Sequence, residues 1–401
     1  MMKRIKYKLI ILKIVILITL VSFHPFNGFS SELPQLSSNS VISLIVCSPS
    51  PSPEGNFGHA AIRVQDKELK IDVVFNYGSY VLEQPFFFLK ILLGKLESSL
   101  EGEHFYDFIQ RYRSEGRGVK EYYLNITLQE KQTLWKRLNQ ILLSENRFYK
   151  FNFTSNNCTT QTRDLFFDQL NLRIPFYQGL LSGHSYRDVE LQNPFHYSWA
   201  HLLFNMLIGV NGDKTTSFYQ NAFYPDGLLQ LLKAVNENER TIIVTEHDLL
   251  NPVEIKESTH GTVSVIFFIF ILLLTIYLSY IQYKKGKVFL LFDRILFFSS
   301  GILGVFLFLV MLFSEVAQIN INFNIMWALP TNIFLAFLIQ KNTKRMVVYW
   351  TRISLCAMIA FPLLSWYFKQ YIPIELYLFA VILLVRMYFY TGININKKLK
   401  L

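Results

Sequence analysis

Charged side chains are scarce in this 401-residue chain. Asp, Glu, Lys and Arg make up 17% of it, where an average soluble domain carries roughly a quarter. That shortage argues against a wholly soluble protein. With 51% hydrophobic residues, the composition also excludes a disordered chain, a collagen and a coiled coil. Cysteine is rarer still: Cys47, Cys158 and Cys356 are too few and too scattered for a disulfide framework or a zinc cluster. The histidines offer no metal-ligand spacing either, His196 and His201 being five apart and off the helical i, i+4 pairing. No metal and no cofactor is therefore expected. Internal repeats and low-complexity tracts are missing too.

What the chain does have is a net charge of +10, from 39 basic and 29 acidic residues. Such a balance suggests nucleic acid until the Lys and Arg are located. They sit in short runs beside apolar stretches, the pattern of membrane topology, so no nucleic-acid partner is expected. Lys3, Arg4, Lys6 and Lys8 precede an apolar run over 9–23 broken only by Lys13, and small residues follow from Gly28 to Ser31. Residues 1–31 thus read as a signal peptide or an N-terminal anchor. Residues 32–258 are mixed and polar, long enough for a full core in one domain outside the cytoplasm. Residues 259–401 hold five apolar runs, near 262–282, 295–313, 323–340, 347–368 and 372–391, each about the length that crosses a ~30 Å hydrocarbon layer. Lysines and arginines follow the first, third and fifth (Lys284, Lys285 and Lys287; Lys341, Lys344 and Arg345; Lys397, Lys398 and Lys400). The positive-inside rule puts those loops in the cytoplasm and the 32–258 domain outside. Glu375 and Arg386, eleven apart, share one face of the fifth run; ionisable groups at that depth touch lipid headgroups or pair with Asp293 or Arg294.

Two stretches of the exported domain carry candidate chemistry. An apolar strand, Val41 to Cys47, leads through a Pro/Ser/Gly loop into Phe57-Gly-His-Ala-Ala-Ile-Arg-Val64, and a further strand runs from Ile71 to Tyr77. A two-residue turn between Asp66 and Leu69 pairs positions whose numbers sum to 135, setting His59 opposite Asn76 within hydrogen-bond reach. Asp72 is the alternative orienting residue. In the second stretch, Tyr149 to Asp164, Ser155, Asn156 and Asn157 are competent N-caps, which places Cys158 in the first turn of a helix. Unpaired N–H groups and the helix dipole there favour a thiolate, and a nearby imidazole completes the requirement for Cys–His nucleophilic catalysis. The backbone around Asn157 and Thr159 can receive an oxyanion. Plainer readings stand beside this one: a structural histidine, a cysteine acting as a small hydrophobe, or a Cys47–Cys158 disulfide. Cys47 reads as core and Cys356 as membrane packing. Arg63, Arg117 and Arg163 suit either a phosphate or ordinary salt bridges. Phe86-Phe-Phe88 and Phe166-Phe167 suit either the bilayer interface or the core.

The segments Phe57-Gly-His-Ala-Ala-Ile-Arg63, Asn76-Tyr-Gly78, Asn157-Cys-Thr-Thr160 with Arg163-Asp164, Tyr186-Arg-Asp188, and Gly212-Asp213 with Phe223-Tyr-Pro225 resemble the bacterial lipoprotein N-acyltransferase family Lnb. So do Phe292-Asp293, Asn324-Ile-Met-Trp327 with Pro330, and Glu375 with Arg386 in the membrane half. The resemblance implies an α+β permuted papain-like (NlpC/P60-like) periplasmic domain followed by an all-α transmembrane bundle of about five helices, in the inner membrane. It implies Cys158, His59 and Asn76 as the catalytic set. Asn157, Thr159, Arg63 and Arg163 become possible oxyanion or substrate contacts. The implied reaction takes an acyl chain from a phospholipid donor, through a thioester, to the α-amino group of a diacylglyceryl apolipoprotein acceptor. The papain-like thiol site also serves a membrane-tethered cysteine peptidase or cell-wall amidase, the alternative reading. A non-enzymatic scaffold with a degenerate site is a third.

Overall fold

The run Val41–Cys47 forms the strand its composition predicts, β1, inside a seven-stranded antiparallel sheet. This computed structural model describes residues 33–50, 55–80, 84–173, 181–192, 198–237, 240–253, 263–339 and 344–391. The expected signal segment, the 258/259 boundary and the basic loop and tail near 341 and 397 lie outside them. β2 (His59–Asp66), β3 (Ile71–Ser79), β4 (Leu96–His104), β5 (Val119–Leu124), β6 (Phe148–Phe151) and β7 (Ile243–Leu250) complete the sheet in the spatial order β7-β5-β1-β2-β3-β4-β6. Central β1 is covered on both faces, which is why Ile42, Leu44 and Ile45 run apolar without alternation. Edge strand β7 carries solvent-exposed Thr245, Glu246, His247 and Asp248 instead, a polar edge that discourages further pairing.

The β2–β3 register differs from the one expected. Ile62 faces Phe75 and Asp66 faces Ile71, so paired numbers sum to 137. The connection is a four-residue turn, not a two-residue one. Asp66 closes it by accepting from the N–H groups of Glu68 and Leu69, and Lys70 takes a left-handed φ of 57°. Lys67-Glu68 lacks the Gly or Asn that a two-residue hairpin turn needs, which accounts for the longer loop.

After β3 comes a short helix, α1 (Phe87–Leu93); α2 (Phe105–Ser114) then covers one face of the sheet through Phe108, Ile109 and Tyr112. On the other face lie α3 (Leu128–Leu142), whose Trp135 ring meets Phe75, and α4 (Cys158–Gln169). α5 (Tyr186–Leu191), α6 (Ser198–Leu207) and α7 (Pro225–Ala234) follow.

The membrane half holds α8 (Val263–Lys285), α9 (Leu290–Phe313), α10 (Asn332–Leu338), α11 (Lys344–Tyr367) and α12 (Ile374–Tyr388). Among the described residues three helices are long and apolar enough to cross a bilayer: Val263–Lys285, Leu290–Phe313 and Arg345–Tyr367. The third apolar run is not one helix. It opens with a 3-10 turn, Phe323–Met326, and becomes α-helical only at Asn332. Pro330 interrupts the backbone ladder, and the Asn332 side chain donates to the carbonyl of Trp327, whose indole N–H donates in turn to the Asn324 side chain. α12 has 15 residues, about 22 Å, shorter than the expected run.

Glu375 and Arg386 do share a face of α12, and that face points into the bundle. Arg386, wholly buried, binds both carboxylate oxygens of Asp293 at 2.5 and 2.8 Å and also Ser279 and Gln282. The expected Asp293 pairing is therefore present and headgroup contact by Arg386 is not. Cys356 is exposed on α11 instead of packed within the bundle.

Leu36–Leu401 forms one compact unit, because a polar seam joins the sheet-bearing part to the outer end of the membrane helices. Asn322 donates to the carbonyls of Met206 and Leu207, the N–H of Val210 donates to Ile321, and Asn211 donates to Ala317. A Cβ on Gly209 would stand 1.9 Å from the Ile321 carbonyl oxygen, so only glycine permits this approach.

Candidate active site

Asn157 starts α4 as the sequence expects. Its Oδ1 accepts from the N–H groups of Thr159 and Thr160 at 2.9 Å, and the Thr160 hydroxyl closes the reciprocal bond. Its Nδ2 is committed to the carbonyls of Phe153 and Phe223. Asn157 is thus a positioning residue with no group left for an oxyanion. Cys158 becomes the first helical residue.

The β2–β3 ladder stops at Ile62 and Phe75, and Cys158 occupies the opening beyond it. Its sulfur hydrogen-bonds the His59 ring, the N–H of Ala60 and, at 3.7 Å, the Thr159 hydroxyl. Burial alone would push the thiol upward. The His59 charge and these hydrogen bonds outweigh it and bring the pKa from an ordinary 9.0 down to about 7. His59 moves the other way. Burial lowers it, but the Cys158 charge, the bond to Cys158 and the bond to Asn76 raise it above its usual value. Both shifts favour a thiolate–imidazolium pair.

His59 reaches Asn76 beyond the last ladder pair; the 137 sum carried on past that pair would set His59 against Gly78. The two side chains lie on a diagonal, with Nε2 and Oδ1 2.9 Å apart. The Asn76 amide nitrogen donates to Glu103, which Arg111 holds in turn at 2.6 Å. That orientation makes Asn76 Oδ1 the acceptor, so His59 Nε2 carries the proton and Nδ1 is the basic nitrogen. The imidazole also stacks on Tyr112, ring centroids 6.4 Å apart. Asp72, the alternative orienting residue, is elsewhere: it is paired with Arg63 at 2.7 Å.

The arginines have structural partners. Arg63 bridges Asp72 and Glu121 and lies 3.4 Å over the Phe105 ring, four residues and about 13 Å of strand from His59. Arg163 binds Asp164 and the Tyr219 carbonyl and covers the Tyr219 ring. Arg117 clamps the Ser48 carbonyl. None of the three is brought to the thiol. Cys47 is free and buried, its pKa pushed by burial to about 12; it pairs with His59 only across the β1–β2 ladder.

Two groups at the thiol escaped the sequence reading. Gly78 has φ +90°, and a Cβ there would lie 3.5 Å from Cys158 Cβ and 3.7 Å from Tyr149 Oη. The Tyr149 oxygen is buried, and its proton has no acceptor among the described residues. The N–H of Cys158 likewise makes no hydrogen bond among them, since the cap takes only Thr159 and Thr160. Two unused donors therefore flank the space that the missing Gly78 side chain leaves. Tyr149 sits on β6 with no local pattern to mark it, so only the fold reveals it.

The loop before Cys158 rests on the membrane half. Phe153 packs with Leu207, Leu307, Val310, Val316 and Ile319, and Thr154 Oγ1 meets Gln318 Oε1 at 2.9 Å.

No curated protein and no solved structure matches the chain. Residues 33–183 match a family model described as the Lnb N-terminal periplasmic domain, and residues 256–398 match the Lnb transmembrane domain. The two parts of one family's architecture, in order and over most of the chain, make this a membrane protein with a periplasmic domain: it belongs to the Lnb family.

Proposed function

We propose that the protein is a lipoprotein N-acyltransferase, a multi-pass protein of the inner membrane with residues 32–258 in the periplasm and 259–401 as its membrane domain. The observation that carries this reading is the Cys158–His59 pair standing on a loop seated against the outer end of α9. In the first half-reaction His59 Nδ1 takes the Sγ proton and the thiolate adds to an ester carbonyl of a phospholipid. The oxyanion forms between the Cys158 N–H and the Tyr149 hydroxyl, donors already in place before charge develops. Collapse breaks the ester C–O bond. His59 returns its proton to the leaving lysophospholipid, and an acyl thioester remains on Cys158.

In the second half-reaction the neutral α-amine of a diacylglyceryl-cysteine adds to the thioester carbonyl. The C–S bond breaks, an amide forms, and the amine's proton passes through His59 to regenerate the thiol. Asn76, held by Glu103 and Arg111, keeps the imidazole oriented through both steps. A thiol fixed at the bilayer rim meets both lipids in two dimensions, a proximity gain that a free domain lacks. A cysteine peptidase or cell-wall amidase would use the same pair, but its substrate lies away from the bilayer, and the seating of the 152–157 loop favours a lipid.

Mass spectrometry of lipoprotein N-termini tests the reading. Cells that depend on this gene alone should lose N-acylation when it is deleted and regain it with the wild-type gene, but not with Cys158→Ala. N-termini that stay acylated after deletion contradict it.

A further inference from the structure

Five carboxylates are buried among the described residues: Asp66, Glu121, Glu190, Asp293 and Glu375. Four are well matched. Asp66 accepts from Ser37, Glu68 and Leu69, Glu121 meets Arg63, Glu190 meets His201 and Asn205, and Asp293 meets Arg386. Glu375 is the exception. It is 8% exposed, and a single Ser264 hydroxyl at 2.7 Å is its hydrogen-bond donor among the described residues; no cation pairs with it there. A carboxylate has about four acceptor sites, so most of those on Glu375 stay open to the space beside it.

Glu375 lines a cavity of about 530 Å³ where the two halves meet. Leu191 and His201 supply one wall. Ser264, Val265 and Ile374, at the first turns of α8 and α12, supply another, with Tyr371 beside them. Those helix starts lie at the outer rim of the bilayer in the proposed topology, the depth of lipid headgroups. The lining thus joins a buried negative charge and an aromatic ring to apolar side chains. α6 links this cavity to the thiol: His201 lines it, and Phe204, a turn further on, contacts Phe57 and Phe153, which lead into His59 and Cys158.

We infer that this cavity binds the primary ammonium group of a membrane lipid, with Glu375 as its counter-ion. An ammonium offers three N–H donors to the open carboxylate sites, while Tyr371, whose ring faces the Arg187 guanidinium 5.5 Å from its centroid, serves as a wall of the site. An anionic headgroup is repelled. The inference rests on the acyl-transfer reading and deepens it, because two of that reaction's lipids can carry such a group: an ethanolamine phospholipid as donor, and the acceptor lipoprotein, whose α-amine would dock as the ammonium, then leave the cavity and give up its proton before attacking the thioester.

The test uses the full-length Cys158→Ala protein in detergent, which binds without turnover, and native mass spectrometry. The probes are phosphatidylethanolamine and a diacylglyceryl-cysteine peptide, each with its amine free or N-acetylated, and phosphatidylglycerol. Charge-assisted hydrogen bonds predict at least about tenfold preference for a free amine. Glu375→Gln should abolish that preference, and Glu375→Asp should keep part of it. Preference confined to the phospholipid assigns the cavity to the donor, and preference confined to the peptide assigns it to the acceptor. Equal binding of free and acetylated forms by the Cys158→Ala protein overturns the inference, whatever the Glu375 variants do. So does a preference that survives Glu375→Gln. Because no acyl transfer is read, either failure leaves the N-terminal acylation test standing on its own.

Discussion

Cys47 and Cys158 are chemically the same side chain with opposite fates. Apolar surroundings push the Cys47 thiol to about 12, where it stays protonated and inert. Cys158 is drawn down to about 7 because His59, Ala60 and Thr159 surround its sulfur. The sign of the pH dependence follows. Thiolate forms as pH rises through about 7, and the upward shift of His59 favours the charged ring beside it. Alkylation of Cys158 by iodoacetamide should therefore reach half its maximal rate near pH 7. In His59→Ala burial is no longer offset, so the midpoint should move above the ~8.5 of a free thiol; a wild-type midpoint already there refutes the pairing. Tyr149→Phe separates the oxyanion from the nucleophile. Loss of one such donor costs about a hundredfold in rate, so thioester formation should fall by that order while the alkylation profile stays put. Equal rates for Tyr149→Phe and wild type would remove Tyr149 from the mechanism. At this scale the N-cap and thiol were legible, since Asn-Cys before an apolar helix is a local signal. Tyr149, Glu103 and Arg111 were not, because each reaches the site from a strand or helix whose own pattern is ordinary.

Helix α1 shows how a short element anchors the site. It follows β3, whose end carries Gly78, and the Ser314 hydroxyl and the Glu315 N–H hydrogen-bond its last carbonyls at the outer end of α9. Of the Phe86-Phe-Phe88 cluster, Phe87 is buried while Phe86 and Phe88 are 76% and 61% exposed. Phe166, by contrast, is core. Exposed phenyl rings beside a membrane helix suit the interface. Phe86→Ser with Phe88→Ser should slow thioester formation from phospholipid vesicles severalfold yet leave alkylation by soluble iodoacetamide unchanged; equal slowing of both would mean that the helix is damaged instead. β1, β2, β3, the start of α4 and the long apolar helices were readable because alternation, an N-cap and apolar length mark them; β4 to β7 were not read. The β2–β3 register was not, since Lys67-Glu68 carries no turn signature. The break in the third apolar run was not read either: hydropathy sees apolar length and is blind to what Pro330 and three asparagines do to the backbone ladder.

For the whole molecule the question is what makes two halves act as one. Composition alone marked the exported part and the apolar part. The seam between them joins residues a hundred or more positions apart through side chain–backbone and backbone–backbone bonds, so it leaves no trace in local pattern. Deeper in the bundle, Asp293 and Arg386 tie α9 to α12 with no exposure to solvent. Removing one partner of such a pair strands the other charge, at a cost of about 3–5 kcal/mol. Arg386→Met should accordingly lower the melting temperature of the purified protein sharply, and Asp293→Asn added to it should restore part of the loss. An unchanged melting temperature in the single variant would show that the clamp is not structural.

The claim on which the rest depends is that one acyl chain passes through Cys158 on its way between two lipids. The direct measurement supplies full-length protein in proteoliposomes with phospholipid carrying an isotope-labelled acyl chain and a diacylglyceryl-cysteine peptide, then quenches in acid for mass spectrometry. The account expects the label on the Cys158 peptide at early times and afterwards on the peptide's α-amine, with both signals absent in Cys158→Ala. Labelled amine formed at the wild-type rate by Cys158→Ala would contradict it.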